Sequence, residues 1–307
     1  MKPFVAFELK VTCQKPTYFS NGVGFKIASI GAGKVQQMKV ELNKEYHFKG
    51  GQYLWKYLDL HRLIYFLHTE NLFFSPLNSF YDPLEGITQK DLYQMLEWDK
   101  NIQTQHGNVG GDRKTEQHGR YKKEVAGEFR KKLDLIQRTF FASCWYCGTR
   151  ESLAMWNTYS NKDSVALRFD PKQLCDKIIS TSKQFQHEDF TVMVHGMVDY
   201  FQISPFDPTD HRLNNCGHRF KGFLKDLSYK HEEEFRFLVF QSHPEETYEY
   251  FEFPLANLNE IEFSIVTHPF MEEWKYNNIM HALKNKDLED RLIRSAIPTR
   301  RGLFEVF

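Results

Sequence analysis

The chain has 307 residues, with 40 Lys and Arg against 40 Asp and Glu, so its formal net charge is zero. That balance argues against a general nucleic-acid coat protein and against a membrane-surface binder, while leaving room for a local basic patch. No apolar run approaches the roughly 20 residues of a membrane span, there is no signal-peptide pattern, and an odd number of cysteines suits reduced thiols. A soluble cytoplasmic protein with no membrane partner is expected.

Residues 1 to about 50 read as strands and turns, an N-terminal β extension in which Phe4 to Val11 alternates and Gly22, Gly24, Gly31 and Gly33 punctuate the stretch after it. Tyr53 to Leu58 is a short strand. Asp59 is a good N-cap for a helix over Leu60 to His68, and Asn71 to Ser75 returns as a strand before Pro76, Asp82, Pro83 and Gly86 bend the chain. From about 87 to 138 the composition shifts to a basic helical insertion. Gln103 to Gly119 is polar and Gly-rich, and Arg120 to Arg138 is an amphipathic helix with Val125, Phe129, Leu133 and Ile136 on one stripe. Its other faces carry Lys122, Lys123, Lys131 and Lys132, either a solvated surface or a phosphate-tracking one.

Thr139 to Trp145 reads as a buried strand, Glu151 to Ser160 as a helix and Ser164 to Phe169 as a strand. Pro171 to Lys183 is a helix, Val192 to Tyr200 a strand and His218 to Asp226 a short basic helix. Past residue 241, strands are expected at Glu249 to Phe253 and Ile261 to Val266, and a helix at Met271 to Leu283. Leu292 to Ala296 and Leu303 to Phe307 close the chain as strands. Helices and strands intersperse without strict alternation, so the class is α+β, with a catalytic domain over 51–307.

The stretch with most chemical content is Leu227 to Gln241. From Glu232 it alternates, so a strand there puts Glu232, Glu234 and Arg236 on one face and Phe235, Phe237 and Val239 on the other. Two carboxylates beside a guanidinium on a rigid strand form a candidate reaction centre, and a solvated strand face is the plain alternative. Cys144 and Cys147 have the spacing of a redox or zinc pair, but no second pair accompanies them, so buried structural thiols and no metal are expected. Gly31-Ala32-Gly33-Lys34 lacks the spacing of a phosphate loop. The hydrolase elbow, the zinc-protease helix and the dinucleotide fingerprint are all absent.

Three blocks then fall into a known order. The first is Leu54-Trp55-Lys56-Tyr57, Leu72-Phe73-Phe74-Ser75-Pro76 and Asp82-Pro83. The second is Ser143-Cys144-Trp145 with Ser152 to Ser160, and the third is Tyr229 with Glu232-x-Glu234-Phe-Arg236. Their order resembles a widespread bacterial family of domains of unknown function over roughly residues 50 to 307, with Tyr81 where that family has Asn. It also looks like a divergent ADP-ribosyltransferase core, a split β fold with flanking helices. The resemblance implies NAD as substrate, with Lys56 or Tyr57 and then Ser143 with Trp145 at the cofactor. Lys56 stands where His or Arg is usual. Glu234 would then stabilise the ribose cation and Glu232 would serve the acceptor, while Arg236 binds the diphosphate or pairs with a Glu. Trp145 or Tyr159 would stack on a flat ring.

The same resemblance implies an intracellular toxin or phage-defence effector with a neutralising antitoxin partner. The acceptor is RNA, DNA or protein, and the basic helix and surplus aromatics favour nucleic acid, RNA first. Two rivals stand beside it: a metal-dependent nuclease built on Asp82, Glu232 and Glu234, and a binding or sensor module whose Glu/Arg strand is structural.

Overall fold

The computed structural model describes residues 35–43, 46–88, 91, 127–128, 130–131, 133–202 and 218–299. The class is α+β. Its main feature is a ten-stranded sheet built on β3 (Tyr53–Leu58), β5 (Phe140–Gly148), β6 (Val165–Phe169), β8 (Phe190–Met197) and β11 (Glu234–Gln241). Along the sheet β6 is followed by β3, β5, β11 and β8. Beyond β6 lie β13 (Phe263–Thr267) and β14 (Leu292–Ile293), and beyond β8 lies β2 (Lys39–Leu42). β2 falls within the expected N-terminal extension, yet it pairs in parallel with β8 in this sheet. Two short ladders stand apart: β1 (Gln36–Gln37) with β7 (Gln186–His187), and β9 (Asp199–Phe201) with β10 (Leu224–Asp226).

The sheet splits beside β5. At one end β5 pairs with β3, the last matched pair being Trp55 with Tyr146. At its other end it pairs with β4 (Asn71–Pro76) through Ser75 with Ala142 and Pro76 with Phe141. β3 meanwhile continues along β6 as far as Leu58. Between the two ladders, Ser143 to Trp145 have no matched strand residue on that side. β4 also carries β12 (Phe251–Pro254).

Local sequence explains the connections. Asp59 caps α1 (Leu60–Thr69) by accepting from Arg62 N at 2.8 Å, and Glu70 ends it in the left-handed region at φ 55°. Ser152 caps α2 (Leu153–Tyr159). Asp170 with Pro171 starts α3 (Pro171–Ser182), and α4 (Glu273–Lys284) comes near the end. A Phe-rich core fills one face of the sheet, where Phe74, Phe141, Phe169, Phe190, Phe235, Phe237 and Phe253 are all sealed from solvent.

Two expected elements are corrected. The strand carrying Glu234 does not begin before it. Asp226 accepts from Ser228 N and caps a 3-10 turn over Leu227–Glu232, and Glu233 stops that turn at φ 38°. Glu232 therefore sits on the turn, not on the face that Glu234 shares with Arg236. The basic helix expected at 218–226 is a 3-10 segment, His218–Phe223, followed by the strand β10. Among the described residues no helix is long and apolar enough to cross a membrane. The strands expected at 4–11 and 303–307, and most of the basic insertion, lie outside the described residues.

Candidate functional site

The split opens a cleft of about 590 Å³ between α1, β4, the bare stretch of β5, and α2. Lys56 stands in the gap. Its ammonium donates to Ser143 Oγ at 2.9 Å and to the Cys144 carbonyl at 3.3 Å, an oxygen that no strand reaches on that side. It also lies 5.1 Å over the Trp145 ring. Burial pushes the amine down to about 8, so its charge is adjustable near neutral pH.

At the inner end of the cleft lies a buried charge cluster. Arg236 is fully buried and donates through Nε to Glu234 at 2.8 Å. Its Nη1 donates to Glu85 Oε1 at 2.5 Å and to the Gly222 carbonyl at 2.7 Å. Lys225 donates to Glu232 Oε2 at 2.5 Å and lies 3.8 Å from Glu234 and 3.7 Å from Glu85. Three carboxylates thus face two cations in a site almost closed to water, with the Lys56 ammonium near enough to act on Glu234 as well. The two central carboxylates respond in opposite directions. Burial would raise Glu234, but Arg236 and Lys225 outweigh it and hold this carboxyl below the usual range. Burial and the charge of Glu234 raise Glu232 against the pull of Lys225. Glu234 therefore stays ionised, and Glu232 is the group able to take a proton.

The other expected site residues divide by accessibility. Tyr159 is 44% exposed on the cleft wall and donates to Glu232 Oε1 at 2.5 Å. Tyr57 accepts from Ser152 N at 2.9 Å and packs edge-on against Trp156, so it braces α2 against β3. Ser143 is fully buried behind Lys56. Trp145 is 1% exposed and wedged against Phe169, so it has no free face for stacking, and Tyr159 is the accessible ring. Arg236 is sealed from solvent with its donors on Glu85, Glu234 and Gly222. Of its two expected roles it takes the pairing one, and contact with a diphosphate is corrected. Lys131 lies on the surface, paired with Glu128 at 2.9 Å, while Lys122, Lys123 and Lys132 lie outside the described residues.

Cys144 and Cys147 point to opposite sides of β5, Cys144 packing with Phe140 and Ala142, and Cys147 with Trp145 and Phe235. Such a pair cannot converge on one metal ion. Asp82, the third carboxylate of the nuclease reading, uses Oδ1 to accept from Leu84 N at 2.9 Å and so shapes the turn after β4.

Sequence reasoning missed Glu85 and Lys225. Glu85 lies three residues past Asp82 in a turn held by Gln137, which donates to the carbonyls of Pro83 and Glu85 at 3.0 Å. Reading the Asp82-Pro83 block on to Gly86, which sits at φ 75°, would have included it. Lys225 gave no comparable signal, since it reaches the site because β10 is a strand where a helix was expected. Comparison with protein-family models, curated proteins and solved structures returned no match to this chain.

Proposed function

We propose that the protein is an ADP-ribosyltransferase that takes NAD as substrate in the cleft of the split sheet. One observation carries the reading: an ionised glutamate, Glu234, stands at the inner wall of a cleft large enough for a dinucleotide, held in place by Arg236 and Lys225. Breaking the bond between nicotinamide and ribose builds positive charge on the ribose. A preorganised carboxylate in a dry site stabilises that developing charge more than it stabilises the substrate. Arg236 and Glu85 fix the orientation of Glu234, and Lys56 supplies an adjustable positive charge for the phosphates. Glu232 takes the proton of the acceptor.

The acceptor is nucleic acid, RNA first, on the strength of the basic residues Lys122, Lys123, Lys131 and Lys132 and the many aromatics. The family resemblance adds the role of an intracellular toxin or phage-defence effector, with an antitoxin as protein partner. The nuclease reading has less support, because Glu232 and Glu234 already share Lys225 and Arg236, and Asp82 commits Oδ1 to its turn.

Isothermal titration with NAD and, separately, with Mg²⁺ tests the assignment. Saturable binding of NAD without a divalent cation is expected. Binding of Mg²⁺ alone would turn the reading toward the nuclease, and binding of neither would leave a non-enzymatic module.

A further inference from the structure

Glu232 serves the acceptor in the transferase reading, yet this residue is only 1% exposed. Both its carboxylate oxygens are taken, Oε1 by the Tyr159 hydroxyl and Oε2 by the Lys225 ammonium, each at 2.5 Å. An acceptor in the cleft therefore cannot reach that carboxylate directly. What it meets is Tyr159, which lines the cleft. We propose that Tyr159 is a catalytic residue that touches the acceptor and relays its proton to Glu232. This rests on the ADP-ribosyl-transfer reading.

Atoms and charge balance in this step. A lone pair of the acceptor oxygen forms the new bond to ribose C1 while the bond from C1 to the nicotinamide nitrogen breaks, its electron pair leaving with neutral nicotinamide. The acceptor's proton passes to the Tyr159 oxygen as the phenol proton passes to Glu232 Oε1. Glu232 later returns a proton to solvent by the same route. No group is oxidised or reduced.

The surroundings favour this direction of transfer. Burial, the hydrogen bond to Glu232 and the charges of Glu232 and Glu234 raise the Tyr159 phenol, so it stays protonated and acts as a shuttle without a free phenolate. Glu232 is raised by burial and by Glu234, which makes it the better proton acceptor of the two carboxylates. Lys225 holds the second oxygen and pulls against that rise. The other ionisable groups facing the pair are Cys144 from β5, Glu85 from the turn after β4, Tyr200 from β9, Tyr229 from the 3-10 turn and Arg236 from β11. Of these, Cys144, Tyr200 and Tyr229 are all raised and stay neutral near neutral pH.

Methanol serves as a small hydroxyl acceptor, and the full-length protein is assayed with NAD for nicotinamide release and methyl ADP-ribose. Tyr159→Phe and Glu232→Gln should each lower methyl transfer by about 10²-fold with NAD affinity changed less than about twofold. The double variant should be no slower than the slower single variant, because the two groups act as one unit. Tyr159→3,5-difluorotyrosine keeps the ring and hydroxyl but makes the phenol more acidic, so it should restore the transfer lost in Tyr159→Phe and change its solvent isotope effect at fixed pH, which a merely structural hydrogen bond would not do. Wild type that transfers, with Tyr159→Phe equally fast, a double variant falling to the product of the singles, or a solvent isotope effect unchanged in the difluorotyrosine variant, would overturn the relay alone. Wild type that releases no nicotinamide would end the transferase reading and the relay with it.

Discussion

Arg236 and Glu85 are 151 positions apart in the chain and meet as an ion pair at 2.5 Å, with neither side chain exposed to solvent. Removing one partner leaves the other charge buried and short of compensation, whereas removing both also removes that penalty. Arg236→Met strands the carboxylates of both Glu85 and Glu234 and is expected to cost about 3–5 kcal/mol of stability in urea unfolding, and Arg236→Met with Glu85→Leu less than the sum of the two single changes. A cost below about 1 kcal/mol for Arg236→Met would mean that the pair is solvated in practice.

The amine of Lys56 changes charge at about pH 8. If it neutralises substrate phosphates, it does so fully below that value and stops doing so above it. NAD affinity should therefore fall as pH rises from 7 to 9, and Lys56→Arg should remove the slope, since a guanidinium stays charged throughout. Titration calorimetry across that range reads the effect directly. An unchanged slope in the Arg variant would take Lys56 out of phosphate binding.

Burial, with the charge of Glu234, pushes the Cys144 thiol up to about 12, and burial with Glu233 pushes Cys147 up to about 11. Because the thiolate is the reactive form, both should resist iodoacetamide at pH 8 in the folded protein and react on unfolding in denaturant. Rapid alkylation of either thiol in the native state would contradict their placement.

Much of the fold was legible in the sequence, because capping and alternation are local. Asp59 announced its helix, and the Phe positions of β11 announced a core-facing strand. The misleading signal was also local. The alternation from Glu232 to Arg236 holds in the sequence, but the Asp226 cap and the left-handed Glu233 remove Glu232 from the strand. The site still gathers both glutamates, through Lys225 and not through a shared strand face. Lys225 and Glu85 were not legible as site residues, because their role depends on pairing between distant segments, and hydrophobic patterning carries no record of it. Nor does spacing alone reveal that Trp145 and Arg236 are sealed from the cleft they border.

In the proposed reaction Glu234 stabilises positive charge developing on the ribose of NAD. Glu234→Gln keeps the size of the side chain and removes its charge. The ground state has little positive charge on the ribose to lose, so NAD binding should change little while the chemical step slows by about 10²-fold or more. Nicotinamide release from NAD, measured for wild type and Glu234→Gln under saturating substrate, is the direct test. Release by wild type and its near-loss in the variant at preserved NAD affinity are expected. A variant as fast as wild type, or a wild type that does not consume NAD at all, would contradict it.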